Sequence, residues 1–164
     1  MKFERLPENE LKKLEKEFVQ FLVSNTVTAQ DWIKLKTNQP NKAEELIDMF
    51  SDIVYEKVMS EVEFLEFRTM YDLKSFRCQN EEIIMMGIEV DASLGLDLRK
   101  QDDFKKMAQL SNELVDKIKV YAARKPYKPS RSEEIFRMMK SGAQKTNSTM
   151  FLLLENLYKK LKEN

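Results

Sequence analysis

A chain of 164 residues, 42% apolar and 34% charged, is long enough to bury roughly 70% of its unfolded surface without a disulfide or metal staple. Its 28 basic and 28 acidic residues cancel, so no global field steers it onto nucleic acid or an anionic membrane. It contains no histidine and one cysteine, which excludes Ser-His-Asp and Cys-His catalysis, His-ligated metal and multi-cysteine clusters within the chain.

Pro7 suits the first turn of a helix, where its missing N–H costs nothing. Leu11, Leu14, Phe18 and Phe21 follow as one apolar stripe at spacings of three and four. Thr28 with Asp31 predicts a capping box and a short helix carrying Trp32, Ile33 and Leu35, ended by Asn38-Gln39-Pro40. The clearest helix runs over 41–59: Ala43, Leu46, Ile47, Phe50, Ile53, Val54 and Val58 make its apolar face, and Glu44, Asp48, Asp52 and Glu56 recur opposite.

After Ser60 the period falls to two. Val62 and Phe64 alternate with glutamates, then Leu65 and Phe67 continue on the other parity, which predicts a bulge near Leu65. Phe76 and Cys78 mark a second strand, and Ile84, Met86, Ile88 and Val90 a third. Short turns between them predict an antiparallel meander. Ile83 and Met85 lie on the opposite parity, so the second face of that sheet is also partly apolar; either helices cover it or it binds a partner. Leu94, Leu96 and Leu98 alternate in a form that can extend the sheet.

Asp102 opens a long predicted helix with Phe104, Met107, Leu114, Ile118 and Tyr121 inward, ended by Pro126 and Pro129. Ser130 and Glu133 form a second capping box before a helix carrying Ile135, Phe136 and Met139, which Gly142 ends. Ser148 or Thr149 caps a last helix reaching about Lys160. The expected fold is therefore α+β in one domain over 1–164: helices over about 7–59, a three-stranded antiparallel meander over about 61–91, and helices over about 102–161. The longest apolar run, 150–154, falls short of the ~20 residues needed to span a bilayer. The start of the chain lacks the apolar core of a signal peptide, and the lone cysteine fits a reducing compartment. A cytoplasmic protein without membrane contact is expected.

Five features bear on function. Carboxylates four apart at Glu44, Asp48, Asp52 and Glu56 share a helix face, which suits a divalent cation or simply a solvated surface. The stretch Glu44-Glu45-Leu46-Ile47-Asp48 is similar to the EExxD half of the MazG-like nucleotide pyrophosphatases, which use two acidic motifs. The matching ExxE is absent, since Glu8, Glu10, Glu15 and Glu17 are followed three residues on by Leu11, Lys13, Phe18 and Gln20. Ser141-Gly142-Ala143-Gln144-Lys145-Thr146 has the Gly…Lys-Thr order of a phosphate loop but lacks its earlier glycine, the glycine before lysine and a preceding strand, so it reads as a helix end and polar turn.

Lys119, Arg124, Lys125, Lys128 and Arg131, interleaved with Tyr121 and Tyr127, crowd a proline-stiffened segment over 119–131. Cations with tyrosines suit phosphates and exposed bases; equally, cations complement the end of a helix stopping there. In the last helix Met150, Leu153, Leu154, Leu157 and Leu161 form one stripe, while Phe151, Leu152 and Tyr158 point elsewhere and must pack in the core or against a second chain. Cys78 sits on an apolar strand parity and reads as a small buried hydrophobe.

The Glu45-Leu-Ile-Asp-Met-Phe-Ser-Asp52 helix, the Val62-Glu-Phe-Leu-Glu-Phe-Arg68 strand, Ser75-Phe-Arg-Cys78, Arg131-Ser-Glu-Glu-Ile-Phe136 and Ser141-Gly-Ala143 resemble a family of short proteins of the Bacteroidetes lineage described as a domain of unknown function. The resemblance spans most of the chain. It implies a bacterial cytosolic protein and carries no activity, substrate or catalytic residue. The expected function is a non-enzymatic interaction or adaptor protein, without cofactor, that binds a protein partner or itself through the last helix or the apolar second sheet face. The alternative is a nucleic-acid accessory factor using 119–131. A carboxylate enzyme with a divalent metal comes third.

Overall fold

The computed structural model describes residues 1–110, 113 and 115–163, in two compact units, Met1–Glu61 and Val62–Asn164. The boundary coincides with the change of period after Ser60. The first unit is helical: α1 (Glu8–Lys13), α2 (Glu15–Ser24), α3 (Ala29–Asn38) and α4 (Pro40–Ser60). The stripe read as one helix breaks at Leu14, whose N–H is shared between Glu10 O and Leu11 O, a locally tightened turn. The capping box forms as the sequence predicts, Asp31 N donating to Thr28 Oγ1 at 3.1 Å and Thr28 N to Asp31 Oδ2 at 3.2 Å. Pro40 occupies the first turn of α4.

Phe18 ties this unit together. Its ring meets Trp32 edge-on at 5.2 Å and Phe50 at 5.1 Å, with Phe21 at 6.1 Å. Two residues expected inward on α4, Ile53 and Val58, are instead exposed. The acidic stripe stays partly exposed, and residues 2–6 run along it. Lys2 N and Phe3 N donate to the two oxygens of Asp52 at 2.6 and 2.8 Å, and Lys2 Nζ meets Glu56 at 2.6 Å. Arg5 pairs with Asp48 at 2.7 Å and with Glu44. Leu6 N then donates to the buried Ser51 Oγ at 3.0 Å. The spacing of four matches the carboxylates to successive cations and amides of an extended strap.

The second unit is built on five antiparallel strands: β1 (Phe64–Arg68), β2 (Asp72–Cys78), β3 (Glu82–Val90), β4 (Ile118–Pro126) and β5 (Gln144–Thr146), in the order β4-β3-β2-β1-β5. The meander β1–β2–β3 is as expected, and the α+β class holds, but the sheet has two further strands. Residues 118–126, read as the end of a long helix, form the nine-residue edge strand β4. The helix over the preceding stretch, α5 (Gln101–Leu110), stops earlier, and Leu114 lies outside the described residues. Ile118 and Tyr121 continue the helical spacing from Phe104 and Met107, which hid the change. β5 pairs Gln144 with Glu66 and Thr146 with Phe64 at the opposite edge. Leu94–Leu98 do not extend the sheet: a 3₁₀ turn over Ala92–Leu94 and the left-handed Gly95 carry the chain to Leu98, which is fully buried.

No bulge interrupts β1, whose register with β2 is continuous from Phe64↔Arg77 to Arg68↔Leu73. The parity switch has another cause: the sheet is covered on both faces, so Phe64 and Leu65, pointing opposite ways, are both buried. One face, with Phe64, Leu73, Met86, Ile88, Val90 and Ile118, packs with Phe104 and Met107 of α5 and with Phe151, Leu154 and Leu157 of α7 (Thr149–Glu163). The other face carries Leu65, Phe67, Phe76, Cys78, Ile83 and Met85. It lies under α6 (Arg131–Lys140), whose N-cap Ser130 accepts from Glu133 N at 3.3 Å as the second capping box predicts.

Gly87 on β3 is required by a close approach. A Cβ there would fall 2.2 Å from the ring of Tyr121, its cross-strand partner on β4. The Tyr121 hydroxyl reaches Asp72 on β2 across that gap. Gly87→Ala is expected to cost about 1–3 kcal/mol by overpacking. In a Tyr121→Ala background the same change is expected to cost less, a coupling that a double-mutant cycle by urea denaturation reads directly.

Candidate functional site

The second sheet face supplies the site. α6 begins at one end of it, held by Arg131. The guanidinium donates to Cys78 O at 3.0 Å, to Gln79 O at 3.1 Å and to Val62 O. Beneath, Leu65, Cys78 and Ile83 are buried. α6 does not cover the whole face. Beside it runs a trough of two adjoining cavities, of about 350 and 370 Å³, that share Phe76, Lys125 and Met138. Phe67 floors one end and Met85 with Ala123 the other. Strand alternation separates the Met85-Met86 pair: Met86 enters the core and Met85 faces the trough.

Four cations line the trough, Lys74, Lys125, Arg137 and Arg124, with one carboxylate, Glu134. Lys74 pairs with Asp72 at 2.5 Å and lies 5.8 Å from the Tyr121 ring centroid. Glu134 is almost fully buried, pairs with Lys125, and accepts from Lys128 N at 2.9 Å. Burial pushes its carboxyl up, but Lys125 and the Lys128 amide outweigh that and hold it below the usual carboxylate range. A depressed carboxyl contributes stability above its unfolded pKa, near 4.5, and loses it as pH falls through the lower folded value. Glu134→Gln is therefore expected to flatten the loss of stability below pH 4.5, measured as the urea midpoint against pH.

The predicted basic segment is a strand edge followed by the approach to α6, and it does not gather its cations on one surface. Alternation places Lys119, Tyr121 and Lys125 on the trough side of β4; Arg124, of the opposite parity, pairs with Glu82 at 3.6 Å and borders the Met85 end of the trough. Tyr127 donates its hydroxyl to Gln79 O at 2.7 Å, and Arg131 is turned onto carbonyls. Lys119, Arg124 and Lys128 remain exposed. Of the three candidate interface positions on α7, Phe151 is 0% exposed, against Phe64 at 5.8 Å, and belongs to the core. Tyr158 packs against that core and lies under Lys162 Nζ at 5.0 Å; Leu152 alone of the three is exposed.

Cys78 is buried, and burial pushes its thiol up to about 11, so it is not set up as a thiolate nucleophile. Among the described residues no group of three or more Asp, Glu or Cys side chains is disposed to hold a metal ion, and no helix is long and apolar enough to cross a membrane. Sequence parity at Ile83 and Met85 signalled an apolar second face. Lys74 and Arg137 carried no such signal, because they meet Phe67 and Met138 only when α6 crosses the sheet.

No curated protein and no solved structure matches this chain. The model of a family described as a family of unknown function (DUF6495) matches residues 1–159, nearly the whole length, and the chain belongs to that family.

Proposed function

We propose that this member of a family of unknown function is a non-enzymatic interaction protein whose trough beside α6 seats an amphipathic segment of a partner protein. The observation that carries the reading is an apolar floor of Phe67, Phe76, Met85 and Met138 left open between the sheet and α6. Methionine adapts to varied apolar partners. Lys74, Lys125 and Arg124 are paired with Asp72, Glu134 and Glu82, which leaves Arg137 as the trough cation without an ion pair among the described residues and favours a segment with an acidic residue flanking its apolar anchors. A second copy of the chain suits the trough less well, since a two-fold contact brings the same cationic rim against itself. The resemblance and the lone cysteine support a bacterial, cytoplasmic setting in the Bacteroidetes lineage.

Nucleic-acid contact through 119–131 has less support, because Arg131, Tyr127 and Lys125 are engaged within the fold. A pull-down of the tagged chain from its native lysate, with and without nuclease, separates the readings. Protein partners that survive nuclease, are lost with Met138→Glu and persist with the pair Lys119→Glu and Lys128→Glu, two exposed positions that do not line the trough, match the trough. Bound nucleic acid that disappears with the latter pair and persists with Met138→Glu overturns it.

A further inference from the structure

A further cavity lies apart from the trough. At the β1–β5 edge a pocket of about 490 Å³ lies between the end of β1, the turn after α6, and the start of α5. Its walls are polar: Arg68, Arg99 and Lys145 with Gln101, Gln144 and Thr146, and one carboxylate, Glu66. Two of its cations are fixed in place. Arg68 pairs through Nε with Glu66 and donates Nη1 to Leu98 O at 3.1 Å. Arg99 grips Asp97 with Nε at 2.9 Å and Nη2 at 2.8 Å. Each guanidinium thus keeps one Nη group without an acceptor among the described residues. Lys145, exposed on β5, has no carboxylate or carbonyl partner there either.

We infer that this pocket binds a phosphate-bearing small molecule. With Asp97 on Arg99 and Glu66 on Arg68, three cations meet two carboxylates; the excess of one positive charge attracts a phosphate, and planar guanidinium forks with free N–H groups suit its oxygens. Side chains already held by Glu66, Leu98 and Asp97 lose little freedom on binding, which favours affinity. The volume falls within the roughly 300–1,000 Å³ of small-ligand sites. The amides of Gln101 and Gln144 and the Thr146 hydroxyl supply further hydrogen-bonding groups for the rest of the molecule. This site is separate from the trough and stands or falls without it.

The test is an amide chemical-shift titration of the isotope-labelled full chain with inorganic phosphate, ionic strength being held constant with sodium chloride. The expected result is a saturable shift confined to Arg68, Arg99, Gly142, Gln144 and Lys145. Half-saturation is expected at least tenfold higher in Lys145→Glu and raised again when Arg99→Gln is added. Lys145 and Arg99 are exposed, and the variant spectra themselves report that the fold is kept; Lys145→Gln reads the same contact without reversing charge. Absence of a saturable shift, shifts confined to other residues, or a titration unchanged in both Lys145 variants overturns the inference.

Discussion

Phe151→Ala is expected to destabilise the sheet-bearing unit by about 3–5 kcal/mol, the range for a large ring removed from a fully buried site. The ring is wholly inaccessible in the cluster that joins α7 to the sheet, 5.8 Å from Phe64 and 5.7 Å from the Arg77 guanidinium. Its loss removes apolar burial, an aromatic contact and the cover over a cation at once. The next residue, Leu152, is 44% exposed, and Leu152→Ala is expected to shift stability by no more than about 0.5 kcal/mol. Urea denaturation of the two variants side by side checks both values. A small effect at Phe151 would mean that α7 does not close this core.

Arg131→Ala is expected to cost about 3 kcal/mol, because it strips a charged donor from the carbonyls of Val62, Cys78 and Gln79. Those carbonyls lie at the entry to β1 and the end of β2, so the loss loosens the start of α6 from the sheet it covers. Arg131→Lys is expected to recover only part of the stability, since an ammonium cannot reproduce the planar fork that reaches several acceptors. A fall in the urea midpoint at unchanged slope, with the lysine variant intermediate, is the predicted pattern. A phosphate contact at Arg131 would instead leave the midpoint of the ligand-free chain unmoved.

Local chemistry made part of this fold legible. Thr28 with Asp31 and Ser130 with Glu133 cap helices where their spacing says, and the alternation at Phe76, Cys78, Ile84 and Met86 marks real strands. Signals failed where two patterns overlapped or where a strand had no apolar payload. Ile118 and Tyr121 fit both a helix stripe and a strand, and the edge position of β4 leaves most of it exposed, so no alternation corrects the misreading. β5, three polar residues at an edge, owes its existence to the partner strand β1. The parity switch at Leu65 was visible, but a bulge and a doubly covered sheet give the same pattern; only the register distinguishes them.

The sites divide in the same way. An apolar second face was readable from Ile83 and Met85, whereas the width of the trough depends on where Arg131 seats α6. The acidic stripe on α4 was visible as spacing, and its partners at Lys2, Phe3 and Arg5 lie 39 to 54 residues away in sequence. Gly142, Gln144, Lys145 and Thr146 lack the pattern of a phosphate loop. They acquire a polar pocket only because β1 and the start of α5 bring Arg68 and Arg99 beside them.

The most direct test of the interaction role is site-specific photo-crosslinking in native lysate, with a benzoylphenylalanine placed at Met138 in the trough or at the exposed Leu152 on α7. Protein adducts from position 138 that resist nuclease, vanish with Met85→Glu, and do not form from position 152 are the predicted result. Adducts from position 152 alone, or nucleic acid as the only crosslinked species at position 138, would contradict it.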